Sequence, residues 1–256
     1  IQLPMQRKKK AIVGFRFLER LFRLEPRFAY FISEDCILFS FQGAMYHYSI
    51  EREELKEEVR YRTGMNNPLM LCCNKNIEGK TRILFGEYWR NSKNEEVSIF
   101  ERNIDGKWYK VYTFPSNTVY HIHYITYDSM RKCFWILTGD LNKESAIWKA
   151  DLIFDTVTPL LQGKQVYRSC FIVPNENGLV YATDSPNENN YIFFIDLSKK
   201  RMEIKKDTTN EMMIEFDSRP GNEGFVRVAV AAFCTQLNPT LEEVADLKTA
   251  LSEAVT

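Results

Sequence analysis

The sequence predicts a mainly β fold: a partial β-propeller of about four four-stranded blades over 28–206, followed by a short C-terminal β-α-α segment. Three observations carry this reading. From Phe28 to Lys206 the apolar runs are short, aromatic and β-branched, with turn residues between them, which is the signature of strands. The runs fall into groups of four whose starts, at 28, 68, 121 and 165, are spaced 40, 53 and 44 residues apart, the period of a propeller blade. The second run of three groups ends alike, in ILFGEY (83–88), WILTGD (135–140) and VYATDS (180–185), each followed by a polar loop and a third apolar run. A sandwich would also give many short strands, but the fourfold grouping and the repeated strand ends favour stacked structural repeats.

In order, the first group is predicted at Phe28–Ile32, Cys36–Phe41, Ala44–Ile50 and Leu55–Tyr61. The second is Pro68–Cys72, Arg82–Tyr88, Glu96–Arg102 and Trp108–Phe114; the third is His121–Tyr127, Cys133–Thr138, Ala146–Leu152 and a weaker run at Val157–Leu161. The fourth is Gln165–Val173, Leu179–Thr183, Tyr191–Asp196 and Met202–Lys206. Residues 1–27 differ: Phe15, Leu18, Leu21 and Phe22 recur at helical spacing until Pro26, as in an amphipathic helix, and an incomplete blade is the alternative. Beyond 207, Met212–Phe216 alternates as a strand, and Gly221–Phe233 carries Phe225, Val228, Ala229, Ala232 and Phe233 on one helical face. A second helix starts at Thr240 as N-cap with Glu243 at the capping-box position, and its stripe is Leu241, Val244, Leu247, Leu251 and Val255. The expected domains are therefore 1–27, 28–206 and 207–256.

Charge and composition support the last boundary. The 256 residues hold 34 Lys+Arg and 34 Asp+Glu, so the chain as a whole has no net attraction to nucleic acid or membrane. Residues 210–256 nevertheless hold 3 basic and 8 acidic residues, and all 4 Trp, all 13 Tyr and 15 of 18 Phe precede residue 207. No apolar run approaches the ~20 residues of a membrane helix. The basic start is not followed by the apolar stretch and cleavage site of a secretory signal, so a cytoplasmic location is expected, with no nucleic-acid and no membrane partner. The six cysteines sit in or beside apolar runs without a C-x-x-C pair, and there are three histidines. The expectation is reduced, buried thiols and no metal set of the usual tetrahedral spacing.

Propeller geometry opens the loop after each second strand on the same face as the entry to each inner strand. That places Glu87, Asp140 and Asp184 there as candidate catalytic carboxylates. The ligand-binding candidates are Asn67, His121, His123, Asp140, Arg168 and Asp184, a polar ring at a concave mouth. Each also has a structural reading. Asp140 and Asp184 could cap turns through backbone amides, and His121 or His123, which share one side of a strand, could be a core histidine. Arg168 needs an acid or an anion if it is buried. Trp108, Trp135 and Trp148 are expected in the core between blades.

The pattern His121-Ile-His123…Tyr127-Asp128…Trp135…Thr138-Gly139-Asp140…Ile147-Trp148 resembles bacterial sialidase-like propellers of the BNR, or Asp-box, type. Asn103-Ile-Asp105-Gly-Lys-Trp108 is similar to a degenerate Asp-box, with Asn in place of Ser and one residue fewer before the Trp. The resemblance implies the fold and a glycan or similar polar ligand. A sialidase-type glycoside hydrolase is the further alternative, for which Glu87 and Asp140 would have to stand about 5–9.5 Å apart. Arg168 alone stands where that family's arginine triad would be.

Residues 210–256 resemble the N-terminus of the anti-sigma F factor family of sporulating bacteria, which are GHKL-type serine kinases. The resemblance rests on Asn210-Glu-Met, Asn222-Glu-Gly-Phe-Val-Arg-Val-Ala-Val, Gln236-Leu-Asn-Pro-Thr, and Lys248-Thr…Ser252-Glu-Ala-Val-Thr256. It implies that Glu253 occupies the glutamate place of the nucleotide-binding N-box, and that the Mg²⁺-ligand asparagine falls at the place after Thr256. ATP and Mg²⁺ are thus implied only for a complete kinase segment, no cofactor is expected for this one, and a sigma factor is the implied partner. The leading expectation is a propeller-based binding module joined to this segment, with an anti-sigma kinase relative as the alternative.

Overall fold

A computed structural model describes residues 26–197, apart from residue 187, together with Val230. The expected helix before Pro26, the run Met202–Lys206, the β-α-α segment apart from Val230, and Glu253 lie outside the described residues. The chain divides into two compact units, Ile1–Ile125 and Thr126–Thr256.

The fold is mainly β. The first unit contains two antiparallel four-stranded meanders. One comprises β1 (Phe28–Phe31), β2 (Cys36–Phe41), β3 (Ala44–Ser49) and β4 (Glu54–Arg60). The other comprises β5 (Leu71–Ile77), β6 (Lys80–Gly86), β7 (Val97–Arg102) and β8 (Trp108–Phe114). A third meander orders β9 (His121–Asp128), β10 (Cys133–Gly139), β11 (Ala146–Ala150) and β12 (Val157–Gln162), with β9 starting at the end of the first unit. The fourth has three strands among the described residues: β13 (Ile172–Pro174), β14 (Gly178–Ala182) and β15 (Ile192–Asp196).

Burial explains the sequence pattern. In the first, third and fourth sheets the second strand is the most enclosed, with every residue of Cys133–Gly139 buried, and it reads as a nearly continuous apolar run. The fourth strands are edges, exposed or half-buried throughout Glu54–Arg60 and Val157–Gln162, and they read as polar or weak. Hairpin chemistry sets the register. Gln42 and Gly43, at φ 44° and 88°, join Phe41 to its partner Ala44, the twist that two-residue hairpins favour. The third strand of each four-stranded sheet shifts register near its start, at Met45/Tyr46, Ile99/Phe100 and Ile147/Trp148. A bulge kept at one place in three sheets marks a structural repeat.

Two expected strands are corrected. Pro68–Cys72 moves to Leu71–Ile77, because the Glu78-Gly79 turn joins Ile77 to Lys80 and the strand must run as far as that turn. Gln165–Val173 is not one strand. Its first part, Gln165–Tyr167, is a 3₁₀ turn closed by Tyr167 N–H to the Lys164 carbonyl and Arg168 N–H to the Gln165 carbonyl, and the strand starts at Ile172.

Within the first unit, Glu58 of β4 ties the two sheets together. It accepts Arg102 Nε at 2.7 Å, Arg102 Nη2 at 2.6 Å and Trp108 Nε1 at 3.0 Å. In the second unit Asp128 accepts Trp135 Nε1 at 3.0 Å and Arg131 Nη1 at 2.8 Å. Arg131 also donates to the carbonyls of Asn175 and Glu176 in the β13–β14 turn.

Candidate functional site

The repeated strand ends put Glu87, Asp140 and Asp184 at related places, just beyond β6, β10 and β14. Their surroundings differ. Glu87 is buried in the first unit, where Ser98 N–H donates to Oε2 at 2.8 Å and Arg62 Nη1 lies 3.3 Å away. Burial pushes its carboxyl above the ordinary glutamate value, against the lowering pull of that amide and guanidinium. Glu87 lines a cleft of ≈ 260 Å³ with Arg60, Tyr61, Arg62, Glu96 and Lys110. Arg62 also bonds Glu95 at 2.5 Å and covers the Trp89 ring, 4.0 Å from its centroid. Charge pairing and a cation–π contact therefore anchor the 89–95 loop.

At the end of the same unit His121 and His123 sit two residues apart on β9, and both are buried. Strand alternation sends their side chains to one face, and their Nε2 atoms lie 2.9 Å apart. His121 Nδ1 is 3.0 Å from the Trp89 carbonyl oxygen. That oxygen can only accept, so Nδ1 carries the proton. The Tyr88 ring packs on His121 with centroids 4.2 Å apart. The approach of β9 to the second sheet needs Gly86, where a Cβ would stand 2.3 Å from Ile122 Cγ2.

The second unit holds an acid–arginine–acid cluster. Arg168 follows the 3₁₀ turn and is largely buried, with Nη2 3.0 Å from Asp140 Oδ1 and 3.7 Å from Asp184 Oδ2. The side chains of Asp140 and Asp184 remain 36% and 33% exposed. Backbone and side-chain bonds fix the parts: Asp184 N–H donates to the Arg168 carbonyl, Gln165 Nε2 to the Asp140 carbonyl at 2.8 Å, and the Cys170 thiol to Asp184 Oδ2 at 3.1 Å. Burial, then the Asp184 charge, drives the Cys170 thiol well above its ordinary range. Arg168 Nε and Glu144 Oε2 are buried without a hydrogen-bond partner, as is Gln42 Nε2 in the first unit.

The sequence reading named most of these residues but not Glu144. Its signal was weak: it is one acid in the polar loop 141–145, whose backbone is held by Thr138 Oγ1 donating to the Glu144 carbonyl at 2.7 Å. Asn67 has a structural task, accepting Ser40 Oγ at 2.8 Å beside Tyr61. Trp108, Trp135 and Trp148 all donate through Nε1 to protein acceptors. The degenerate Asp-box forms the β7–β8 hairpin: Asn103 Oδ1 accepts Lys107 N–H at 2.8 Å, and Gly106 takes φ 79°. Cys36, Cys72, Cys73, Cys133 and Cys170 are free thiols, and burial pushes Cys72 up to about 12. No helix among the described residues is long and apolar enough to cross a membrane.

No family model matches the chain. A 47-residue stretch, 18% of the chain, is 64% identical to the anti-sigma F factor of Clostridium novyi (strain NT) and 60% identical to that of Clostridium perfringens (strain SM101 / Type A). The chain spans about a third of the length of these curated relatives, 33% and 34%. Among solved structures, a calcium-binding regucalcin from Agrobacterium tumefaciens aligns with TM-score 0.48 and 11% identity, covering 68% of this chain and 58% of its own. An oligogalacturonate lyase in complex with manganese aligns with TM-score 0.44 and 10% identity, covering 64% and 48%. The extracellular domain of BT4673 from B. thetaiotaomicron aligns with TM-score 0.47 and 12% identity, covering 71% and 22%.

Proposed function

We propose that the meander sheets are propeller blades and form a binding module for a polyhydroxylated ligand of the glycan class, held in the second unit by Asp140, Arg168, Asp184 and Glu144. The observation that carries this reading is the pair of buried polar atoms left unsatisfied there, Arg168 Nε and Glu144 Oε2. An orphaned buried donor or acceptor costs about 1–3 kcal/mol, and a ligand or ordered water at that place offsets the cost. Sugar hydroxyls suit the cluster because each can donate to a carboxylate and accept from a guanidinium. Asp140 and Asp184 keep exposed surface beside a guanidinium whose position they fix, so the site is organised before the ligand arrives.

The test is a glycan array with the full chain, followed by calorimetry on the best ligand with Arg168→Lys, Asp184→Asn and Glu144→Gln. Arg168→Lys keeps the charge but loses the planar fork. It is expected to weaken binding by roughly tenfold or more, the weight of a charge-assisted bond. Absence of any glycan ligand, or affinity unchanged in all three variants, would overturn the reading.

A second reading concerns the tail. The 64% identity over 47 residues to an anti-sigma F factor favours a sigma-factor contact made by residues 210–256. Binding of purified sigma F to the full chain, lost when 208–256 are removed, would support it. No binding by the full chain would refute it.

A further inference from the structure

We propose that His121 and His123 form a chelating site for a divalent transition-metal ion, taking two neighbouring positions of its coordination sphere. The two imidazoles come from i and i+2 of one strand, so the backbone of β9 presets their separation. Their Nε2 atoms are 2.9 Å apart and both rings are buried. With metal–nitrogen bonds of about 2.0–2.1 Å, that separation corresponds to an angle of about 90° at the metal. This is the angle between neighbouring ligands in an octahedral or tetragonal sphere, the arrangement that nickel and copper ions favour among first-row metals.

Protonation supports the same assignment. The Trp89 carbonyl holds the proton of His121 on Nδ1, 3.0 Å away, so neutral His121 turns a lone pair from Nε2 toward His123. An imidazole whose other nitrogen donates to a backbone carbonyl is oriented as metal-bound histidines are. Tyr88, 4.2 Å from the His121 ring by centroids, restricts that ring further. Without an ion, the short Nε2–Nε2 contact is satisfied by a single shared proton, with His123 donating to His121. A metal takes the place of that shared proton by accepting both lone pairs, with the His123 ring passing to its Nδ1–H tautomer, so two neutral rings bind without net proton release. Spacing rules for zinc did not reveal this pair, because they look for four ligands and this site supplies two.

The experiment uses tag-free full-length protein with Ni²⁺ as the probe, followed by calorimetry and nickel-edge X-ray absorption. The expected result is saturable one-to-one binding, two imidazoles in the nickel shell, and affinity lost by about 10–100-fold or more in His121→Ala and His123→Ala. His47→Ala should leave the affinity unchanged. The absorption measurement needs only the unaltered protein, so it decides even where a variant fails to fold. No saturable Ni²⁺ binding, a shell with fewer than two imidazoles, or unchanged affinity in folded His121→Ala and His123→Ala would each overturn the proposal.

Discussion

Replacing Glu58 tests how the two sheets of the first unit are held together. Its side chain is 1% exposed and that of Arg102 is 11% exposed. The two meet in a bidentate pair at 2.6 and 2.7 Å, with Trp108 Nε1 at 3.0 Å on the same carboxylate and His47 Nδ1 3.3 Å away. Removing one partner of such a pair leaves a buried guanidinium uncompensated, which costs about 3–5 kcal/mol. Glu58→Gln keeps an acceptor for Trp108 and isolates that charge effect. At roughly 2–4 °C per kcal/mol for a chain of this size, the melting temperature should fall by about 6–20 °C. Urea unfolding followed by tryptophan fluorescence gives the free energy directly. A control, Arg60→Ala, removes an exposed partner of Glu57 and should cost no more than about 1 kcal/mol. A double-mutant cycle with Arg102→Met then separates the pair from its surroundings. A loss for Glu58→Gln no larger than the control's would refute the reasoning that this carboxylate joins the sheets.

Two further outcomes follow from single positions. At Gly178 an added Cβ would stand 1.8 Å from the Ile195 carbonyl oxygen, against backbone rather than a movable side chain. Gly178→Ala should therefore cost at least the upper end of the roughly 1–3 kcal/mol typical of overpacking, and speed amide exchange in β14 and β15, as read by hydrogen exchange; unchanged protection there would contradict it. Glu87 has a carboxyl raised above 4.5 by burial, so between 4.5 and its raised value the folded chain binds more protons than the unfolded one. Its contribution to stability thus falls as pH rises through that window. Glu87→Gln should gain stability relative to the unaltered chain as pH rises from 4 to 7, and a difference independent of pH in denaturant melts would show that the carboxyl is not raised.

The sequence read the strands well where burial was complete or nearly so. Cys36–Phe41 matches the predicted run at both ends and Cys133–Gly139 departs by one residue, because a strand enclosed on both faces leaves little room for polar residues; Trp108–Phe114 also matches at both ends, although only Phe114 is buried there. It failed where the chain obeys a distant partner. Val166, Tyr167, Phe171 and Ile172 have strand composition, yet Arg168 lies between Asp140 and Asp184 and the chain before it closes as a 3₁₀ turn. Glu58 was invisible for the same reason. It reads as one more acid on a polar edge strand, and its burial depends on Arg102, 44 residues later. Among the candidate residues, strand alternation made the pairing of His121 with His123 legible, whereas their 2.9 Å contact depends on side-chain rotamers that alternation does not specify.

The acids after β6, β10 and β14 show how a repeat separates place from chemistry. A small residue or Thr followed by an acid recurs at all three strand ends, and the fold delivers each carboxylate to a related position. What each can then do is set by its neighbours. Glu87 receives an amide and a guanidinium within the wall of its sheet pair and is buried. Asp140 and Asp184 receive one guanidinium between them and keep about a third of their side chains in contact with solvent, at 36% and 33%. A fully enclosed carboxylate gains its stability from bonds inside the protein and has little left to offer a ligand. A half-exposed one fixed by a shared arginine retains acceptor capacity at a defined position. In this chain packing leaves such acceptor capacity on Asp140 and Asp184, on either side of Arg168.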